Sequence, residues 1–161
     1  NLLDTRLRAH GYRRVPVIGD GNCCFRAIIN CKNVWVWKNA CLRKGIENMK
    51  KHRNIYEDFL WGSSDDALSP GDRWNDYIQR METDGAWADH EILAAVAAEF
   101  NFEFKLITTH PSDEIRMVSG PPAATKTTTP PRQIVLAFKA EVHYDAVSPL
   151  TSFSSSTASH T

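Results

Sequence analysis

The order of the predicted elements indicates an α+β domain, with a small, mostly antiparallel sheet packed against helices. Helical spacing of apolar residues dominates the first hundred residues, and strand-like segments follow from residue 102 onward. Hairpin-like turns separate these segments, which favours antiparallel pairing. At 161 residues, of which 42% are hydrophobic, the chain is long enough for one domain with a sizeable core.

The helices are predicted from apolar residues that recur every three or four positions and from start signals such as Ser69-Pro70. An Asp84-Gly85 pair ends one of them, and the next begins near Ala88-Asp89. The predicted helices cover residues 2–8, 23–29, 35–52, 70–83 and 89–100.

The strands are predicted from alternating or β-rich runs, beginning with an extended segment at 13–18. Between the later strands, residues 120–131 are rich in proline and threonine, which predicts a mobile surface loop. The remaining predicted strands cover residues 102–107, 115–118, 133–138 and 143–147.

One part of the chain is expected to be folded and the other disordered. Residues 1–149 carry the apolar patterns, whereas residues 150–161 are rich in serine and threonine and have little to bury. We therefore expect one folded domain, of a size that can hold a catalytic site, at 1–149 and a disordered tail or linker at 150–161. Because the chain begins at Asn1, without methionine or a signal-peptide pattern, we also expect it to be a fragment of a longer protein.

Charge and cysteine usage narrow the classes of partner. Nineteen Lys and Arg balance nineteen Asp and Glu, so we expect no nucleic-acid partner, and no apolar run has the ~20 residues of a membrane span. The four cysteines fall within one quarter of the chain, at spacings that suit neither a disulfide framework nor a zinc site. Free thiols in a reducing cytoplasm are the expectation.

The strongest local signal is a polar turn that leads into a helix. Gly19, Asp20, Gly21 and Asn22 are all turn formers, and they deliver Cys23 to the predicted helix start. The positive end of the helix dipole favours the thiolate, which is the nucleophilic form of cysteine.

A second signal lies far downstream, in the last predicted strand. His143 and Asp145 are two residues apart, so on an extended strand they share one face while Tyr144 points away. A histidine base with a carboxylate beside it complements the Cys23 nucleophile. The two segments together predict a Cys-His-Asp hydrolase that needs no metal or cofactor.

These residues resemble a known family, the ovarian-tumour (OTU) cysteine proteases. Three separated motifs agree in order, and Cys24 departs from the pattern, because the family usually has leucine or another apolar residue there. The similar segments are Asp20-Gly21-Asn22-Cys23-x-Phe25-Arg26-Ala27, residues 77–94 with Gly85-x-Trp87-x-Asp89-x-Glu91, and His143-Tyr144-Asp145-Ala146-Val147.

The resemblance implies a papain-like OTU fold and hydrolysis of the isopeptide bond after ubiquitin's C-terminal glycine. It implies Cys23 as nucleophile, His143 as general base and Asp145 as the residue that orients the imidazole. It places Asp20 where family members have a loop residue that shapes the oxyanion hole. The residues implied to lie along the channel for ubiquitin's tail are Gly21, Asn22, Trp87, Ala88 and Asp89.

Other functions remain open at this point. The same triad would serve a papain-like protease or acyltransferase that acts on another protein or a ubiquitin-like modifier, and a catalytically silent ubiquitin-binding module is a third alternative. The expected partners are ubiquitin or polyubiquitin chains, and also ubiquitin-like modifiers. We expect a monomer in the cytoplasm, which would be the host cytoplasm for a viral protein or a bacterial effector.

Overall fold

Helices precede most of the strands in the structure, which is a computed structural model. It describes residues 1–32, 38–58, 69–83, 85–140 and 142–150. Within those residues the elements are α1 (Leu2–Ala9), β1 (Tyr12–Val15), α2 (Cys23–Lys32), α3 (Lys38–Lys51), α4 (Arg53–Tyr56), α5 (Pro70–Glu82), α6 (His90–Phe100), β2 (Phe102–Thr108), β3 (Ile115–Ser119), a short 3-10 helix (Pro122–Ala124), β4 (Arg132–Lys139) and β5 (His143–Pro149).

Three predictions fall outside the described residues. These are the start of the third helix at residue 35, the side chain of Cys31, and the tail after residue 150. No helix of the described ranges combines the length and the apolar character that a bilayer crossing requires.

The sheet confirms the predicted α+β class. Its five strands lie in the order β1-β5-β4-β2-β3. Three of the four pairs are antiparallel, and only β2 and β4 run parallel. The parallel pair arises because β3 occupies the edge beside β2, so the chain has to return past α6 before β4 can pair on the other side of β2.

The two faces of the sheet are covered by different helices. Leu3 and Leu7 of α1 pack with Ile107, Val135 and Ala137 on one face. The larger core lies on the other face, where α2, α3 and α6 contribute buried side chains. The seven residues 92–98 of α6 are all buried, as expected of a helix that lies between other elements.

Helix starts follow the predicted signals. The Ser69 hydroxyl accepts the amide N–H of Asp72 at the start of α5. The Asp89 carboxylate accepts that of Ile92 at the start of α6, and it also accepts the Tyr77 hydroxyl at 2.7 Å. Such caps satisfy amides that have no partner inside the helix.

The extended segment predicted at 13–18 is shorter than expected. Strand β1 covers Tyr12–Val15 and pairs with β5, with Val15 opposite Ala146. Residue 16 is a proline, which has no N–H to donate to a sheet ladder, so the strand ends there.

The segment 120–131 is exposed over most of its length, as expected of a surface loop, but its first part packs on α6. A Cβ on Gly120 would lie 2.5 Å from the backbone of Ala98 in α6, so this part of the chain passes directly over that helix. Ala124 is buried, and its carbonyl accepts the side-chain amide of Asn48 at 3.0 Å. Composition predicted the irregular backbone but not this packing.

Candidate active site

The turn before α2 is built by its own polar groups. The Asp20 carboxylate accepts the amide N–H of Asn22 at 3.1 Å, and the Asn22 carbonyl accepts the amide of Arg26 at 3.1 Å, which begins the helix. Gly21 has φ of +78°, a conformation that favours glycine. Cys23 is the first residue of α2, as predicted.

This turn touches the loop that precedes α6. A Cβ on Gly21 would lie 2.1 Å from the carbonyl oxygen of Gly85, so no other residue fits there without movement of the backbone. The turn before α2 and the loop at Gly85 are therefore in direct backbone contact, although more than sixty residues of sequence separate them.

The Cys23 thiol lies against the start of β5. The residue is only 2% exposed, and its Sγ accepts the amide N–H of Tyr144 at 3.5 Å. The sulfur therefore lies at the N-terminal end of α2 and beside a backbone N–H donor.

His143 and Asp145 form the predicted pair. Nε2 of His143 lies 2.8 Å from Oδ1 of Asp145. Nδ1 is then the ring nitrogen left to exchange a proton with a neighbour, and it faces the backbone of Gly19, where a Cβ would come within 3.4 Å of it. The Cys23 sulfur accepts the amide N–H of Tyr144, the residue after His143, so Cys23, His143 and Asp145 all lie near the start of β5.

The Asp145 carboxylate is buried and has two further donors. Its side chain is 5% exposed, Oδ1 also accepts the amide of Val17 at 2.9 Å, and Oδ2 accepts Nη1 of Arg14 at 3.3 Å. Arg14 is held in turn by Asp4, with Nε 3.0 Å from Oδ1. These donors fix the orientation of the carboxylate that faces His143.

Asp20 uses its carboxylate within the turn and on α2. In addition to the Asn22 amide, it binds Arg26, with Nη2 2.6 Å from Oδ2. Both side chains of this ion pair are about one-third exposed, at 34% for Asp20 and 37% for Arg26. The geometry supports a role in shaping the turn.

Trp87, Ala88 and Asp89 lie on the side of β5 where Tyr144 points. The Trp87 ring is 5.4 Å from the Tyr144 ring between centroids, and the Ala88 carbonyl accepts the Tyr144 hydroxyl at 3.4 Å. These residues border a cavity of about 280 Å³ that Glu91 also lines. Burial, and then the nearby Asp89, raise the pKa of Glu91 above its usual range.

The other described cysteines are poorly suited to nucleophilic attack. Cys24 is 1% exposed, and burial raises the pKa of its thiol well above the ordinary value, with Cys23 and Cys41 adding to the rise. Burial raises the pKa of Cys41 to about 12. Both groups are therefore thiols at neutral pH. Within the part of the chain that the structure describes, no three His, Cys, Asp or Glu residues are grouped to hold a metal ion.

Sequence reasoning missed the residues that support the site. Arg14 and Val17 contact Asp145 across 131 and 128 residues of chain, and no local pattern indicates such a contact. The contact of Arg26 with Asp20 could have been predicted, because Arg26 follows Asp20 by six residues on the exposed side of the helix start. Tyr144 was predicted only to point away from His143, and its amide contact with sulfur depends on the tertiary fold.

Comparison with curated proteins reveals relatives over nearly the whole chain. The sequence is 28% identical over 151 residues to "OVARIAN TUMOR DOMAIN-containing deubiquitinating enzyme 11" of Arabidopsis thaliana. That alignment covers 91% of this chain and 54% of the relative, so the chain spans about half the length of that protein.

Solved structures share the fold. The OTU domain of OTUD1 superposes with a TM-score of 0.70 at 22% identity, covering 91% of this chain and 92% of that domain. An OTU deubiquitinase from Wolbachia pipientis wMel, solved bound to ubiquitin, gives a TM-score of 0.63 at 10% identity, covering 88% of this chain and 98% of the other. The helices and the mostly antiparallel sheet are those of OTU domains.

The family model of OTU-like cysteine proteases matches residues 18–144. The match spans most of the chain and includes the cysteine at the start of α2 and the histidine at the start of β5. The chain belongs to the family of OTU-like cysteine proteases.

Proposed function

We propose that this protein is a cysteine-type deubiquitinase, which hydrolyses the isopeptide bond after the C-terminal glycine of ubiquitin. Cys23 is the nucleophile, His143 the general base and acid, and Asp145 the carboxylate that orients the imidazole. The main support for this proposal is the arrangement around β5. Nε2 of His143 lies 2.8 Å from Asp145, and the backbone amide of Tyr144 donates to the Cys23 sulfur.

The first half of the reaction forms a thioester. His143 accepts the Cys23 proton at Nδ1, and the sulfur attacks the carbonyl carbon of the terminal glycine. The bond from that carbon to the lysine nitrogen breaks, and the imidazolium returns its proton to the departing amine. Asp145 stabilises the imidazolium and holds the tautomer that keeps Nδ1 available.

The second half releases ubiquitin. A water molecule gives one proton to His143 as its oxygen attacks the thioester carbon. The carbon–sulfur bond breaks, which leaves a free carboxyl group on ubiquitin, and the proton returns to Cys23. In both halves the carbonyl oxygen becomes negative, and preorganised amides stabilise it. The Asn22 amide is already engaged by Asp20, so we assign this role to the amides of Gly21 and Cys23.

The comparisons support ubiquitin as the substrate. A relative that matches 91% of this chain is named a deubiquitinating enzyme, and an OTU domain of the same fold has been solved bound to ubiquitin. We place ubiquitin's extended tail between the Gly21-Asn22 turn and the Trp87–Asp89 segment. The backbone contact between Gly21 and Gly85 brings these two walls together, which supports this path. The cytoplasm is the proposed compartment, because the nucleophile has to remain a free thiol.

The test uses ubiquitin that carries a thiol-reactive electrophile at its C-terminus, together with a panel of di-ubiquitins. We expect one covalent adduct per chain, located on Cys23 by mass spectrometry, and cleavage of at least one linkage. An adduct without cleavage of any ubiquitin conjugate would contradict the proposal.

The same reagents separate the alternatives. Equivalent probes built on ubiquitin-like modifiers would label the protein faster than the ubiquitin probe if another modifier were the substrate. A silent ubiquitin-binding module would bind ubiquitin and form no adduct. The gathered Cys23, His143 and Asp145 favour catalysis over that last alternative.

A further inference from the structure

The Asp145 carboxylate needs more than His143 to be stable where it lies. A buried charge is costly unless hydrogen bonds and an opposite charge compensate it. The backbone amide of Val17 and Nε2 of His143 both bind Oδ1, at 2.9 and 2.8 Å. Among the described contacts, the positive charge that reaches the other oxygen, Oδ2, is that of Arg14.

The position of Arg14 follows from the register of the first and last strands. Its Cα lies opposite Val147, so Arg14 is the diagonal neighbour of Asp145 on the same face of the β1–β5 pair. A long side chain spans that diagonal, and Nη1 lies 3.3 Å from Oδ2 of Asp145.

The rest of the guanidinium is fixed from α1. Nε and Nη2 bind the two oxygens of Asp4 at 3.0 and 3.4 Å, a two-point contact that sets the plane of the group. The hydrogen bond to Asp4 is the main cause that raises the pKa of Arg14, with Asp145 adding to the rise and burial opposing it. Arg14 is therefore a permanently charged group with a defined orientation.

We propose that Arg14 is a positioning residue for catalysis, which holds Oδ2 of Asp145 so that Oδ1 stays aimed at Nε2 of His143. Asp4 contributes indirectly, because its carboxylate orients the guanidinium group of Arg14. The proposal rests on the role of Asp145 given above. Without Arg14, the carboxylate keeps its donors on Oδ1 alone and is free to tilt about its own bond. The loss falls on the step in which the imidazolium forms, so it appears in kcat more than in KM.

A purely structural role for Arg14 would behave differently. It would lower activity by loosening α1 and β1, whether or not Asp145 were present. An effect that passes through Asp145 disappears when Asp145 is removed, and a double-mutant cycle separates the two cases.

The experiment compares Arg14→Met in the wild-type and Asp145→Ala backgrounds. The substrate is ubiquitin with a fluorogenic amine at its C-terminus, and melting temperatures are recorded for every variant. Arg13→Met is the matched control, because Arg13 is an exposed neighbour on β1 that lies opposite Ser148. If Arg14→Met does not fold, Arg14→Lys takes its place, since lysine keeps the charge but cannot make the two-point contact and reach Asp145 together.

We expect Arg14→Met to lower kcat about tenfold, with KM changed less than about twofold, because hydrogen bonds to charged groups have effects of this size. For Arg14→Lys we expect a loss of about threefold. In the Asp145→Ala background either change should have less than about a twofold effect, and Arg13→Met should match the wild type.

Two outcomes would overturn the proposal. One is an equal fold-loss for the Arg14 variant in both backgrounds, and the other is wild-type kcat for that variant although Asp145→Ala is impaired. Wild-type kcat for Asp145→Ala would instead overturn the role given to Asp145 under the proposed function. That failure is distinguishable, because it appears with Arg14 intact.

Discussion

Cys23 and Cys24 are adjacent and both buried, yet their surroundings fit them for different roles. The sulfur of Cys23 receives the Tyr144 amide, whereas burial raises the pKa of the Cys24 thiol far above neutral pH. Successive residues on a helix point about 100° apart, so only one of them can face the start of β5.

Replacement of each cysteine by alanine should therefore give opposite results. Cys23→Ala should lower ubiquitin-conjugate cleavage by roughly three orders of magnitude or more, because the proposed nucleophile is lost. Cys24→Ala should keep most of the rate and lose only about 1 kcal/mol of stability through reduced packing. Steady-state rates and thermal melts would measure both, and electrophile labelling of Cys24 in the wild type would reverse the assignment.

The two aspartates near the site differ in what their carboxylates touch. Asp145 is buried against His143, whereas Asp20 bonds to the Asn22 amide and to Arg26 on a partly exposed surface. Exposed ion pairs contribute little free energy, about 0–1 kcal/mol.

Asp145→Ala should therefore lower kcat about a hundredfold or more with little change in KM, since the orienting bond matters most as the imidazolium forms. Asp20→Ala should cost less than about tenfold, because the glycines and the helix start still define the turn. Kinetics on both variants, with circular dichroism as a folding control, would decide. A dead but folded Asp20→Ala beside an active Asp145→Ala would exchange their roles.

At the scale of the elements, the contact between the cysteine turn and the loop before α6 is the tightest feature of the site. Gly21 combines φ of +78° with a carbonyl oxygen of Gly85 where its Cβ would be. Gly11 has a similar φ of +83°, but nothing lies within 4 Å of its Cβ position. A comparison of substitutions at the two positions therefore distinguishes the effect of backbone strain from that of steric contact.

We expect Gly11→Ala to lower stability by about 1 kcal/mol and to leave activity unchanged, because alanine suffers only the left-handed strain there. Gly21→Ala should lose more stability and most of its activity, since the turn has to move away from Gly85. Thermal melts and ubiquitin-probe labelling rates would show this. Equal melting temperatures and equal labelling in the two variants would contradict the importance of the contact.

The elements also show what the sequence could and could not reveal. Apolar spacing and capping residues predicted α5, α6 and β2 to within a residue or two, because these signals are local. The pairing of β1 with β5 and the parallel pair β2–β4 depend on contacts far apart in the chain, so no local pattern indicates them. The residues of the site also divide into those with local sequence signals and those placed by distant contacts. Cys23, His143 and Asp145 belong to short motifs, whereas Arg14 reaches the site only through the register of the sheet.

At the scale of the whole molecule, the last described residue, Leu150, is bonded to the residue that precedes β1. The amide of Leu150 donates to the Gly11 carbonyl at 2.9 Å, just beyond the end of β5. Residues 151–161 contain one phenylalanine and mainly serine and threonine, so the sequence predicts little burial for them.

A chain that ends at Leu150 should keep the melting temperature and the rate of the longer chain on fluorogenic ubiquitin. The expected change is less than about 1 °C and less than about twofold. Removal of Leu150 as well tests the boundary, because it also removes the bond to Gly11. A large loss on removal of residues 151–161 alone would show that they belong to the domain.

The pairing of the first strand with the last has a consequence for biosynthesis. A ribosome delivers Arg14, Val17 and Cys23 well over a hundred residues before His143 and Asp145. Until then β1 lacks the strand with which it pairs, and Cys23 lacks its neighbours on β5. If the proposed function is right, a nascent chain therefore cannot cleave conjugates before His143 and Asp145 have left the ribosome.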